Sequence, residues 1–154
     1  NPLFESFKNG FEEFRPQKAG PTLATAIQIG NPVSFKKAIR VLKQLDGIVA
    51  QASEDDLANA SALADREGLF VCPQTGVGLA VFLKLLETRE IKPGERVVVI
   101  STAHGLKFVD FKIKYHEGRL KDVQPEFANL PIELPADVEI VREKLRTLVT
   151  QEEK

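Results

Sequence analysis

Methionine and tryptophan are absent from the 154-residue chain, and it has one cysteine, one tyrosine and two histidines. The lone Cys72 excludes an internal disulfide framework and suits a reducing compartment. Cys72, His104 and His116 make no zinc-ligand pattern. Without a methionine, Asn1 is not an initiator residue, so a processed chain or a piece of a longer protein is expected. No apolar run approaches the roughly 20 residues of a membrane span, and NPLFESFKNG lacks the charged-then-apolar layout of a signal peptide. An excess of one charge is missing too. With 21 basic and 22 acidic residues, the chain lacks the basic excess that general nucleic-acid binding uses.

What remains is ordinary for a globular protein able to bury a core: 43% hydrophobic and 28% charged residues. Phe4, Phe7, Phe11 and Phe14, spaced by three and four, read as a short amphipathic helix or a packed irregular segment. Gly30-Asn31-Pro32 breaks the chain. Ser34 then opens a helix carrying Ala38, Ile39, Leu42 and Leu45, which Gly47 ends. Ser53 with Asp56 forms a capping box for a helix that runs to Gly68. A third helix is expected near 76–90. Ile48-Val49-Ala50, Leu69-Phe70-Val71 and Val97 to Ile100 read as strands, giving helix–strand three times over.

Such alternation, with strands apolar on both faces, predicts an α/β fold: a parallel sheet with flanking helices in three layers. Later, Lys112 to His116 has helical character and Pro125 to Pro135 is a proline-interrupted connection. Asp137 to Leu148 makes a last amphipathic helix, behind which QEEK frays.

Ligands of an open parallel sheet bind beyond the strand ends. Those ends are Ala50-Gln51, Val71 to Gly76, and Ser101 to Gly105. Thr75-Gly76-Val77-Gly78 opens a helix, and the simpler reading has Thr75 as its cap with glycines for close packing. His104 has no carboxylate partner at a telling spacing and reads as a turn residue bonded to local backbone. Thr102 differs in kind: a neutral hydroxyl at a strand end can meet a ring nitrogen without forcing a charge on it.

TLATAIQIGNPVS, FVCPQTGVGLA and VVVISTAHGLKF, in this order, resemble the threonine synthases, pyridoxal-phosphate enzymes of the tryptophan-synthase-β-like fold (fold type II). The resemblance runs from Asn1 to about Asp110 and more loosely beyond. It implies a division into 1–110, the C-terminal part of the cofactor-binding domain, and 111–154, a helical extension. It also implies conversion of O-phospho-L-homoserine and water to L-threonine and phosphate, with pyridoxal 5'-phosphate (PLP) as cofactor. A homodimeric parent is implied, in the cytoplasm of a bacterium or the plastid stroma of a plant.

By the same resemblance, Thr102 meets the pyridine nitrogen and leaves it largely unprotonated. Ala26 lies against the cofactor ring, and Cys72 occupies a neighbouring position whose residue type varies among relatives. The family's Schiff-base lysine and phosphate loop have no counterpart here, since none of Lys36, Lys37, Lys43, Lys84, Lys92 or Lys107 sits in such a context. The chain is therefore expected to be inactive alone, as the C-terminal portion of such an enzyme. The other readings are a serine/threonine dehydratase or cysteine-synthase-like enzyme of the same fold, and a non-catalytic α/β binding module.

Overall fold

A computed structural model describes residues 1–152. Local chemistry sets most of its helix ends. Asn1 caps α1 (Pro2–Lys8), its Oδ1 accepting the Phe4 N–H. α2 spans Phe35–Gln44 behind Ser34, whose side chain makes no capping bond. α3 (Glu54–Arg66) starts at a complete capping box: Ser53 Oγ accepts the Asp56 N–H and the Asp56 carboxylate accepts the Ser53 N–H, both at 3.0 Å. It ends where Gly68, at φ +81°, sends its N–H to Asp65 O while Leu69 N–H reaches Ala64 O. That is the paired closure that a left-handed residue after a helix allows.

α4 (Pro73–Glu87) begins three residues before the sequence pattern suggests, because Pro73 sits at the first turn with its φ already set for helix. α5 spans Val109–His116 and α6 spans Val138–Glu152. The Asp137 carboxylate accepts the N–H groups of Glu139 and Ile140 at the start of α6. Of the QEEK tail expected to fray, Gln151 and Glu152 continue α6, and Glu153 and Lys154 lie outside the described residues. Two 3-10 turns, Thr25–Ile27 and Gly105–Phe108, complete the order.

α3 and α4 form the principal helix contact. The buried face of α3 is mostly small, with Ala58, Ala60, Ser61 and Ala62, so α4 approaches closely at Gly76. Leu57 of α3, Phe111 and Tyr115 of α5, Ala24 and Val123 share one core. A satisfied polar network fastens the connection after α5 across α3. Tyr115 OH donates to Asn59 Oδ1 (2.6 Å), which also accepts the Glu126 N–H, and Asn59 Nδ2 donates to Gln124 O. Burial pushes the Tyr115 phenol above its ordinary value.

The expected parallel sheet is not formed. Among the described residues the only β pairing is one antiparallel bridge, Val71 with His104. The segment 97–100 has no regular secondary structure, and among the described residues its backbone bonds to no other segment. Val99 packs near Gly78 on α4, while Val98 and Ile100 face solvent at 88% and 77% exposure. Residues 48–50 also stay unpaired. β-Branched runs supply strand propensity, but a sheet requires neighbouring strands, and here α3 and α4 pack on each other instead.

Candidate functional site

Two short extended segments meet where the chain's small polar groups concentrate. Gly105 N–H donates to Phe70 O (2.8 Å) and Cys72 N–H donates to Ala103 O (3.2 Å), flanking the Val71–His104 bridge. This minimal ladder brings Cys72, which leads into α4, beside Thr102, which ends the 97–100 segment. Two of the three expected strand ends thus converge, though as an antiparallel pair. The third, Ala50-Gln51, lines a separate cleft with Thr22, Ala24, Ile27 and Val77.

Cys72, not Thr75, caps α4: its Sγ accepts the Thr75 N–H at 3.4 Å. Sulfur serves because the backbone of Cys72 is extended (ψ 162°), which aims its side chain back over the first turn. Thr75 is thereby released to organise the site. Its Oγ1 accepts the Thr102 N–H (3.2 Å), donates to Ser101 Oγ (3.4 Å) and lies 3.1 Å from Cys72 Sγ. Thr102 Oγ1 lies 3.5 Å from the same sulfur. A hydroxyl carries one proton, so with the Thr75 proton directed to Ser101 the Cys72 thiol donates to Thr75 Oγ1 when protonated, and its single proton then leaves none for Thr102 Oγ1. Burial raises the thiol pKa, but hydrogen bonds from Thr102, from the Thr75 side chain and backbone, and from the Ala103 backbone outweigh it and leave the value below normal.

Cys72 and Thr75 are buried, whereas Thr102 is exposed with its backbone tied down. Among the described residues its hydroxyl, which is neutral, bonds to no carboxylate; its one proton goes either to the Cys72 sulfur or outward. That donor set suits an unprotonated aromatic nitrogen such as the pyridine of PLP. Ala26 lies exposed on the 3-10 turn Thr25–Ile27, which packs against α4, and makes no hydrogen bond to the Thr102 cluster. The His104 ring is occupied locally, with Nδ1 accepting the Leu106 N–H (3.2 Å) and its edge against Phe70. No group of three or more His, Cys, Asp or Glu is placed to hold a metal among the described residues. No helix among them is long and apolar enough to cross a membrane.

A family model for the pyridoxal-phosphate dependent enzymes matches residues 1–103. The chain belongs to that family. Within it, this pyridoxal-phosphate-enzyme chain is similar to threonine synthase 2, chloroplastic, of Arabidopsis thaliana. The two are 44% identical over 155 positions, spanning all of this chain and 30% of the relative. It is also similar to the threonine synthase of Methanocaldococcus jannaschii, 33% identical over 96% of this chain and 34% of that protein. The threonine synthase of Bacillus sp. (strain ULM1) is 38% identical over 71% of this chain and 31% of its own length. The chain thus spans about a third of the length of these curated relatives.

The structure brings Thr102 and Cys72, both named from the motifs, into contact. Ser101 and the central role of Thr75 were not legible, because a threonine opening a helix reads first as its cap. The signal available was Cys72-Pro73, which places proline at the first helical position and so moves the cap three residues earlier, from Thr75 to Cys72.

Proposed function

We propose that this chain is the C-terminal portion of a threonine synthase, which converts O-phospho-L-homoserine and water to L-threonine and phosphate. The single observation that carries the site reading is the Thr102 hydroxyl, anchored by Thr75 and Cys72 and free of any carboxylate. The names of the relatives supply the substrate. PLP, when bound, supplies an electron sink for the carbanionic steps. The chain's own residues do the rest of what is assigned here. Thr102 directs its hydroxyl proton at the ring nitrogen, while Thr75 holds the Thr102 backbone N–H and Cys72 touches the hydroxyl. Ala26 offers a small face to the ring. The six exposed lysines that were weighed as Schiff-base partners are unburied, and the catalytic lysine is assigned to residues outside this chain, which alone turns nothing over.

Residues 1–110 form the C-terminal part of the cofactor-binding domain in this reading, and 111–154 an extension packed into the same core. The full enzyme is a homodimer of the cytoplasm or, in a plant, the plastid stroma. The test is phosphate release from O-phospho-L-homoserine by the full-length protein carrying this chain, with Thr102 varied in parallel. Thr102→Ser should leave the bound-cofactor absorbance nearly unchanged, and Thr102→Asp should shift it toward the protonated ring. A protein that binds PLP but releases phosphate only from other substrates ends the synthase assignment. An Asp variant spectrally identical to wild type removes Thr102 from the ring nitrogen.

A further inference from the structure

We infer that the buried Lys112–Asp65 pair is a positioning device for the Cys72–Thr102 site, with its lysine on α5, a helix beyond the residues that the family model matches. The inference rests on the cofactor site proposed above. Lys112 Nζ donates to Asp65 Oδ2 at 2.6 Å and to Ser61 Oγ at 2.7 Å, and it stands 4.9 Å from the centre of the Phe70 ring. Lys112 is only 5% exposed. The other carboxylate oxygen, Asp65 Oδ1, accepts the Val71 N–H at 3.2 Å. Val71 is the centre of the two-rung ladder, between the Phe70–Gly105 and Cys72–Ala103 hydrogen bonds. One carboxylate therefore holds α5 with one oxygen and the strand that leads into Cys72 with the other.

The lysine also touches the second strand. A Cβ built on Gly105 would stand 3.1 Å from Lys112 Cε and 2.8 Å from Phe70 Cδ1, so the aliphatic stem lies directly beneath the ladder. Stability alone does not account for such a pair. Desolvating two charges offsets much of their attraction, and well-packed apolar residues commonly serve as well. Apolar residues have no acceptor for the Val71 N–H, however, and that acceptor fixes the backbone one residue before Cys72.

Asp65→Asn tests this at constant volume. Lys112 and Val71 donate to different oxygens of Asp65, and an amide turns one of those two positions into an NH2 donor, so it cannot accept both bonds where they stand. In the cofactor-free full-length protein, the Val71 and Cys72 amides should lose hydrogen-exchange protection. With PLP, the dissociation constant should rise by about tenfold, the lower end of what losing an outer supporting partner costs a bound group. The pH profile of bound-PLP absorbance should shift at temperatures well below unfolding. A charge-free Asp65→Leu/Lys112→Met double variant should recover melting temperature but not PLP affinity. Wild-type affinity and absorbance profile in Asp65→Asn overturn the inference, as does a double variant that recovers stability and affinity together. If the double variant does not fold, Asp65→Asn decides alone. Should the wild-type protein itself fail to bind PLP, the cofactor reading falls and takes this inference with it. If wild type binds and the variants match it, only the inference falls.

Discussion

Thr75 organises more of the site than any other single residue, since one buried hydroxyl meets Ser101, Thr102 and Cys72 at once. Lys112 plays the comparable part on the opposite side of the ladder, and its charge makes its contribution depend on pH. Burial lowers its pKa, against the raising influence of Asp65 and of Cys72. Between that depressed value and the ordinary 10.5, the unfolded chain binds more protons at this site than the folded one. Stability from this group therefore rises with pH through the window and levels off above it, with a limiting slope of about 1.4 kcal/mol per pH unit. Tyr115, raised by burial, and Cys72, lowered by its hydrogen bonds, are both retained in a Lys112→Met variant. Urea unfolding of wild type and Lys112→Met from pH 8 to 11 should show a stability difference that moves in favour of wild type as pH rises. A difference that stays flat, or moves the other way, would mean that Lys112 is not held at a depressed pKa.

At the scale of the helix, two glycines one turn apart in purpose sit two residues apart in α4. A methyl group at Gly76 would stand 2.5 Å from Leu57 O and 3.1 Å from Ser61 Cβ, whereas one at Gly78 meets only Val99 Cγ1, at 3.5 Å. Gly76→Ala must push α4 off α3 and should destabilise by about 1–3 kcal/mol. Gly78→Ala fills ordinary space and should stabilise by up to about 1 kcal/mol through helix propensity. Equilibrium denaturation of the two variants checks both signs, and equal effects would show that close helix approach is not what Gly76 provides. Close packing was legible for the Thr75-Gly76-Val77-Gly78 stretch as a whole, but which glycine carries it depends on α3, a different segment. The capping box of Ser53 and Asp56 was legible in full, whereas the caps at Asn1 and Cys72, at the same spacing, were not. The Lys112–Asp65 pair, 47 residues apart, left no local signal.

Over the whole molecule, the same contrast between local and distant information explains the missing sheet. Aliphatic runs such as Val97 to Ile100 report which backbone conformation suits them, yet that segment takes no regular secondary structure. They do not report what lies alongside, which is a property of chain regions tens of residues away. The result is an aliphatic segment whose backbone N–H and C=O groups bond to no other segment among the described residues, with Val98 and Ile100 turned to water. Such a stretch is a template for pairing with another chain, and the apolar side chains add a driving force for association. The isolated chain should therefore form oligomers as its concentration rises. Replacing Val98 and Ile100 together by lysine should suppress this, because two added charges oppose close pairing without touching Val99, which packs on α4. Sedimentation velocity over a concentration series reads the association, and far-ultraviolet circular dichroism confirms that the helices persist. Association that continues undiminished in the Val98→Lys/Ile100→Lys variant would place the sticky surface elsewhere on the molecule.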